Sequence, residues 1–150
     1  MIVHATAIAR RVERDWRAAL LFGESGAGKS DLALRALGAG WRLVSDDYSV
    51  VWASSGCLWA RAPDAIADQI EARGLGILNL PRLGMSPQVV VAVHCEIGPI
   101  ERMPDPAAMD LEGIGLNCIR LHALEASALF KLDRVVSTRA DLDGDTGLGA

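Results

Sequence analysis

The chain has 150 residues, is 51% hydrophobic and 23% charged, and carries a formal net charge of −4. That length supports one globular domain with a real core rather than two, and an acidic chain without a basic stripe is not a nucleic-acid binder held by phosphate neutralisation, although a local basic pocket stays open. Cys57, Cys95 and Cys118 are odd in number and far apart, with no C-x-x-C spacing, so neither zinc nor a disulfide framework is indicated and three idle thiols in a reducing cytosol are expected.

Met1 to Trp16 lacks the apolar core of a signal peptide, and no segment approaches the roughly 18 uncharged apolar residues of a membrane span. The expectation is a cytoplasmic protein with neither membrane nor nucleic-acid partners. In chain order, Ile2 to Ile8 reads as a strand and Arg10 to Arg17 as a charged turn or hairpin end. Ala18 to Phe22 is a continuous apolar run closed by Gly23, the pattern of a buried strand. Ser30 to Leu37 has helical spacing, with Leu32, Ala33, Ala36 and Leu37 on one face and Gly38 and Gly40 ending it.

Arg42 to Ser45 is the next strand. Tyr48 to Ala53 and Cys57 to Ala60, split by Ser54-Ser55-Gly56, read as a hairpin. Pro63 to Arg73 opens on a proline and spaces Ile66 and Ile70 four apart, which predicts a helix broken by Gly74 and Gly76. Ile77 to Leu80, Val89 to Val93 and Asn117 to Leu121 are further strands. Ala123 to Val136 is a long helical pattern with Leu124, Ala128, Leu132 and Val135 on one stripe. Thr138 to Ala150, rich in Gly and Asp, reads as a mobile tail. The organisation expected is one domain over 1–137 and a flexible tail over 138–150.

The most specific signal is Gly23-Glu24-Ser25-Gly26-Ala27-Gly28-Lys29-Ser30, a complete G-x-x-x-x-G-K-S pattern between a predicted strand and a predicted helix. Glycines let successive backbone N–H groups turn inward around phosphate oxygens. The following helix aims its partial positive end at the same anion. Lys29 would reach the terminal phosphates and Ser30 would offer its hydroxyl to magnesium. A GTPase would also need a base-reading N-K-x-D segment; the lysines are Lys29 and Lys131 alone, and no such segment exists.

Asp46 and Asp47 follow directly on the Arg42–Ser45 strand. An Asp at a strand end beside a phosphate loop is a usual magnesium partner. Adjacent residues of an extended segment point opposite ways. The two carboxylates are therefore expected to do different jobs, one facing the metal and the other an attacking hydroxyl whose proton it can take. A solvated turn is the competing reading, since Asp is a common turn residue.

A third segment, Gln69 to Pro81, contains Glu71-x-Arg73-Gly74-Leu75-Gly76-Ile77. Phosphate loop, Asp-Asp after a strand, then E-x-R-G-L-G-I is an ordered triplet that resembles the catalytic domain of the bacterial HPr kinase/phosphorylase family, and Val3-His4-Ala5 is similar to that family's V-H-G. The resemblance covers about residues 2–80. It is weaker afterwards, although Arg120 to Ser127 is similar to the end of short family members. It looks like a short proteobacterial form without the family's N-terminal domain.

The resemblance implies an α/β fold of the P-loop-containing, HPr kinase/PEP carboxykinase-like type, with mixed β-sheets and a C-terminal helix. It implies a serine kinase that uses ATP and Mg2+ to phosphorylate the phosphocarrier protein HPr, with possible removal by phosphorolysis, and a homo-oligomer, a hexamer by family. Carried over position by position, Gly23 through Ser30 hold the triphosphate. Asp47 is the base of the forward reaction, with Asp46 beside it. Glu71 is a metal or site-organising carboxylate, placed with Ser30 and Asp47 around the metal. Arg73 and Gly74 belong to the signature tied to the reverse reaction, and His4 sits near the site. On residue chemistry alone, Glu71, Arg73 and Gly74 read rather as an ordinary helix C-cap.

Smaller signals are bland. His4, His94 and His122 make no metal spacing, and His94 reads as a core or strand-end residue. Glu96 is a minor candidate for the magnesium side. Trp16, Trp41, Trp52 and Trp59 read as packing. Asp141 to Asp145 opens like a calcium loop, but the chain ends before the closing glutamate. The rival functions are a small-molecule P-loop kinase, which would need its own substrate pocket and usually a mobile lid, and a nucleotide-sensing regulatory module, which would keep the loop and tolerate loss of Asp47.

Overall fold

The computed structural model describes residues 1–81, 83–102, 105 and 107–144. The strands are β1 (Ile2–Val3), β2 (Thr6–Val12), β3 (Asp15–Phe22), β4 (Arg42–Ser45), β5 (Ser49–Ser54), β6 (Cys57–Arg61), β7 (Gln69–Ala72), β8 (Gly76–Asn79), β9 (Gln88–Glu96), β10 (Ala107–Leu111) and β11 (Ile114–His122). The helices are α1 (Lys29–Gly38) and α2 (Ala128–Gly144), and a single 3-10 turn covers Asp64–Ile66.

The run Ala18 to Leu21 explains the centre of the sheet. All four residues are fully buried, which requires cover on both faces. Ala19 and Leu21 join Ile8, Leu43, Val91 and Val93 on the face covered by α1, α2 and β7. Ala18 and Leu20 join Ala7, Ala9, Val51, Leu58 and Leu116 on the opposite face. The alternation is that of successive strand residues.

The main sheet runs β1-β5-β6-β9-β3-β2-β4, with β10 and β11 branching off β9. One edge of β9 is shared in sequence: Gln88 and Val89 pair antiparallel with β6, and Val91 to Glu96 pair parallel with β11. Its other edge pairs parallel with β3. Both β3 and β4 are antiparallel to β2. The carboxyl ends of β3 and β4 and the amino end of β2 therefore meet at one rim of the sheet. Rims of this kind, beyond the carboxyl ends of strands, are where α/β folds hold ligands.

Most expected elements are present with shifted bounds. The charged stretch Arg10 to Arg17 is mostly hairpin strand, with Arg10 opposite Arg17 and Val12 opposite Asp15. The helix expected over Pro63 to Arg73 does not form. Only the 3-10 turn occupies its start, and β7 pairs with β8 in a separate two-stranded hairpin. Ile70 and Ala72 point into the core while Glu71 between them is exposed, a period of two rather than 3.6.

α2 starts at Ala128, later than Ala123, because residues 123–127 first cross the phosphate loop. It continues to Gly144, past the boundary set at 138. No glycine or proline interrupts the chain between Ser137 and Gly144, so helix propagation has no local stop there. Residues 145–150 of the expected tail, including the last position of the Asp141–Asp145 stretch, lie outside the described residues. Among the described residues no helix is long and apolar enough to cross a membrane.

Candidate active site

β3 ends in Gly23, and the loop runs to Gly28, where α1 begins. Gly23 sits at φ 144, and a Cβ there would stand 2.5 Å from the Cys95 carbonyl oxygen. Only a residue without a side chain lets the loop lie this close to β9. Gly26 and Gly28 are left-handed, at φ 84 and 90. Gly28 is the N-cap of α1 and gives it no side-chain cap. The first turn of α1 thus keeps main-chain donors at its positive end, as a phosphate cradle requires. Lys29 is buried at 8% exposure. Its ammonium donates to the carbonyl of Gly23 and, at 3.4 Å, to that of Glu24, while Ala27 N–H closes on Glu24 O at 3.0 Å.

The underside of the loop holds Cys95, whose thiol burial pushes up to about 11 against a smaller opposing pull from Lys29. Cys57 and Cys118 are partly exposed, so only one of the three cysteines is core. Above the loop, Ala123 and Leu124 lie against Gly28. Arg35 of α1 ties their segment down by donating to the carbonyls of Ala123 and Glu125.

The two aspartates part company as expected, by a different route. Tyr48 N–H donates to Asp46 O at 2.8 Å, and Asp47 between them sits at φ 69. The segment is a γ-turn rather than an extended strand. A left-handed non-glycine residue of this kind carries on the order of 1–3 kcal/mol of local strain and tends to mark functional loops.

Asp46 faces inward. Its Oδ1 accepts from Ser30 Oγ at 3.3 Å and from Thr6 Oγ1 at 3.1 Å, and its Oδ2 accepts from Glu71 N–H at 3.3 Å. Asp47 faces outward, its Oδ1 lying 2.9 Å from His4 Nε2. The His4 ring stacks on Tyr48 with centroids 4.8 Å apart.

These groups border one cleft of about 620 Å³, lined by His4, Ser25, Gly26, Gly28, Lys29, Ser30, Asp46, Asp47, Glu71, Arg73 and Leu124, among others. Five segments distant in sequence, at residues 4, 25–34, 46–47, 71–73 and 124, are drawn together there. The candidate residues Gly23, Glu24 and Ala27 shape the loop from behind and do not line the cleft. Glu71 and Arg73 arrive on β7 and the turn after it rather than on a helix end. Asp46 reaches the Ser30 hydroxyl; Asp47, set beside Ser30 in the sequence reading, turns to His4 instead.

Among the described residues no three His, Cys, Asp or Glu side chains converge as a metal-binding group. The oxygen donors suited to a hard divalent cation are the Ser30 hydroxyl with the Asp46 carboxylate. Glu96 is engaged elsewhere: Arg120 binds both its oxygens, at 3.0 and 2.6 Å, and holds its carboxyl below the usual range. His94 is exposed beside Glu96 rather than buried in the core.

Sequence reading missed two features of the site: Thr6, fully buried behind the cleft wall, and the cleft-lining Leu124. Thr6 lies in an alanine-rich strand and gives no local sign of chemistry. Leu124 was assigned to a helix stripe.

A strand, a glycine loop closing on a helix and an acid at the end of β4, two strands away across β2, define a P-loop-containing α/β domain built on a curled mixed sheet with a C-terminal helix. Residues 18–91 match the family model described as HPr Serine kinase C-terminal domain. The HPr kinase/phosphorylase of Clostridium perfringens is 37% identical over 83 residues, which are 51% of this chain and 27% of that protein. That of Xanthomonas campestris is 44% identical over 62 residues, 41% of this chain and 20% of that protein. The chain thus spans about a quarter of the length of the curated relatives it matches.

The solved structure described as the Hpr(Ser) kinase/phosphatase from Coxiella burnetii superposes with a TM-score of 0.76 at 21% identity, covering 96% of this chain and 93% of that one. That likeness establishes the fold over nearly the whole chain. Over residues 18–91, just under half of its length, the chain is similar to the HPr Serine kinase C-terminal domain, and its listed relatives are HPr kinase/phosphorylases.

Proposed function

We propose that this domain is a cytoplasmic serine kinase that transfers the γ-phosphoryl group of ATP to HPr. The observation that carries the proposal is the convergence, in one cleft, of the Gly26–Ser30 cradle, the inward Asp46 and the outward Asp47. The relatives' names supply HPr as the acceptor; regulation of the phosphotransferase system belongs to the same proposal.

In this reading the main-chain amides around Gly26 and Gly28 and the start of α1 hold the phosphates, and Lys29 swings from the Gly23 carbonyl to their terminal oxygens. Ser30 and Asp46 would hold magnesium, with Glu71 at the rim; the ion supplies charge neutralisation on the phosphates. Asp47 accepts the proton of the incoming serine hydroxyl. His4, within hydrogen-bond distance, orients that carboxylate. Arg73, on the cleft wall, adds positive charge where negative charge develops. Removal of the phosphate by phosphorolysis would use the same groups in reverse, with Asp47 returning the proton.

The test is incubation with magnesium-ATP and HPr whose acceptor serine is either intact or replaced by alanine. Label on the intact protein alone is the expected result. Label on neither would refute the HPr-kinase reading and leave a small-molecule kinase or a nucleotide sensor.

A further inference from the structure

Thr6 is the one polar residue in the buried start of β2, where Ala5, Ala7, Ile8 and Ala9 are, like it, fully buried. A valine has the same shape and an equal or better fit to a strand, so packing does not call for the hydroxyl. Its contacts do. Thr6 Oγ1 donates to Asp46 Oδ1 at 3.1 Å and accepts from Asp47 N–H at 3.0 Å. One hydroxyl has capacity for both, and here it bridges the side chain of one acid to the backbone of the next.

The bridge bears on the left-handed turn at Asp47. Nothing in the strand pairing fixes that turn, because β4 ends at Ser45. The β2–β4 ladder also shifts register just before it, between Ala7 and Ile8, a bulge of the kind that redirects a strand end. Asp46 has two other ties, Ser30 Oγ and Glu71 N–H. For the backbone N–H of Asp47, Thr6 is the side-chain acceptor. Loss of the hydroxyl would therefore free the turn at Asp47 more than the carboxylate of Asp46.

We propose that Thr6 is a positioning residue: its buried hydroxyl sets the γ-turn that aims Asp47 at the acceptor. The proposal rests on the reading of Asp47 as the base of phosphoryl transfer. Thr6→Val removes the bridge and keeps the volume; Thr6→Ser keeps the bridge. In the full chain, Thr6→Val is expected to lower kcat on the order of a hundredfold, with the KM for ATP near that of the parent because Asp46 and the loop stay held. Thr6→Ser should recover most of the rate, which a role in core packing alone would not give.

A second readout is independent of activity: the Asp47 amide, followed by hydrogen exchange in NMR. It should be protected in the parent and Thr6→Ser and exposed in folded Thr6→Val. Parent-like kcat in Thr6→Val, equal losses in both variants, or an unprotected Asp47 amide in the parent would overturn the proposal. If Thr6→Val does not fold, Thr6→Ser decides: parent-like kcat with a protected amide supports the bridge, and loss of either overturns it. A parent that labels no HPr refutes the kinase reading instead, and the exchange pattern then decides the bridge by itself.

Discussion

Replacing Asp47 by asparagine is expected to lower phosphoryl transfer to HPr by about 10²- to 10⁴-fold, the range for removal of a general base, while nucleotide binding persists. The geometry makes Asp47→Asn unusually informative. Asparagine tolerates positive φ at least as well as aspartate does, so the γ-turn at φ 69 survives. The amide has nearly the shape of the carboxylate and can still meet His4 Nε2, now 2.9 Å from Asp47 Oδ1.

What the variant loses is the capacity to accept a proton. The phosphate cradle, built from Gly26, Gly28 and the start of α1, does not involve the Asp47 side chain. Label transfer and calorimetric titration with ATP measure the two effects separately. Unchanged transfer would remove Asp47 from the role of base. A parallel loss of ATP affinity would move it into the binding site.

The second large effect is expected at Gly23. Gly23→Ala adds one methyl group at φ 144, aimed at the Cys95 carbonyl oxygen 2.5 Å away and at Ala27 Cβ 3.2 Å away. Neither neighbour is the free end of a flexible side chain. One is backbone near the carboxyl end of β9, held in the ladder opposite Leu121 of β11, and the other is the loop itself. The loop must lift off β9 or change its backbone, at a cost of about 1–3 kcal/mol in local strain.

If the binding conformation bears that cost, ATP affinity falls about tenfold for each 1.4 kcal/mol. Gly38→Ala is the matched control. The added methyl there meets nothing within 4 Å, and at the last residue of α1 the change should leave stability unchanged or raise it by less than about 1 kcal/mol. Chemical denaturation and ATP titration of the two variants read the contrast. A Gly23→Ala protein with parent-like ATP affinity would show that the close approach to β9 does not shape the cradle.

How much of this was legible in the sequence depended on the range of the cause. The phosphate loop is a local motif whose flanking strand and helix follow from an apolar run and a glycine stop, and it was readable outright. The opposite facing of the Asp46 and Asp47 side chains was anticipated for a reason that does not apply, since the pair sits in a γ-turn rather than an extended strand. Of the β7–β8 hairpin, β8 was read as a strand, whereas β7 was misread as helix. Ile66 and Ile70 have helical spacing, but the alternation of Ile70, Glu71 and Ala72 is what the fold uses, because Ile70 packs beside Leu32 and Ala33 of α1 and Glu71 N–H reaches Asp46.

β10 was missed as well. Its turn, Glu112-Gly113, with both residues at positive φ, is a hairpin signal in a stretch to which no element was assigned. Thr6 was illegible for a different reason. Its role exists only because β2 begins where β3 and β4 end, and that adjacency is a property of the sheet order.

The most direct measurement is a crystal structure of the protein with magnesium and a non-hydrolysable ATP analogue. The expected result has the phosphate tail against the amides of Gly26 to Ser30, Lys29 withdrawn from the Gly23 carbonyl, and the Asp47 carboxylate facing the γ-phosphate with room for one hydroxyl between them. Phosphates bound away from that loop, or an Asp47 directed into open solvent beside a filled cradle, would contradict the account.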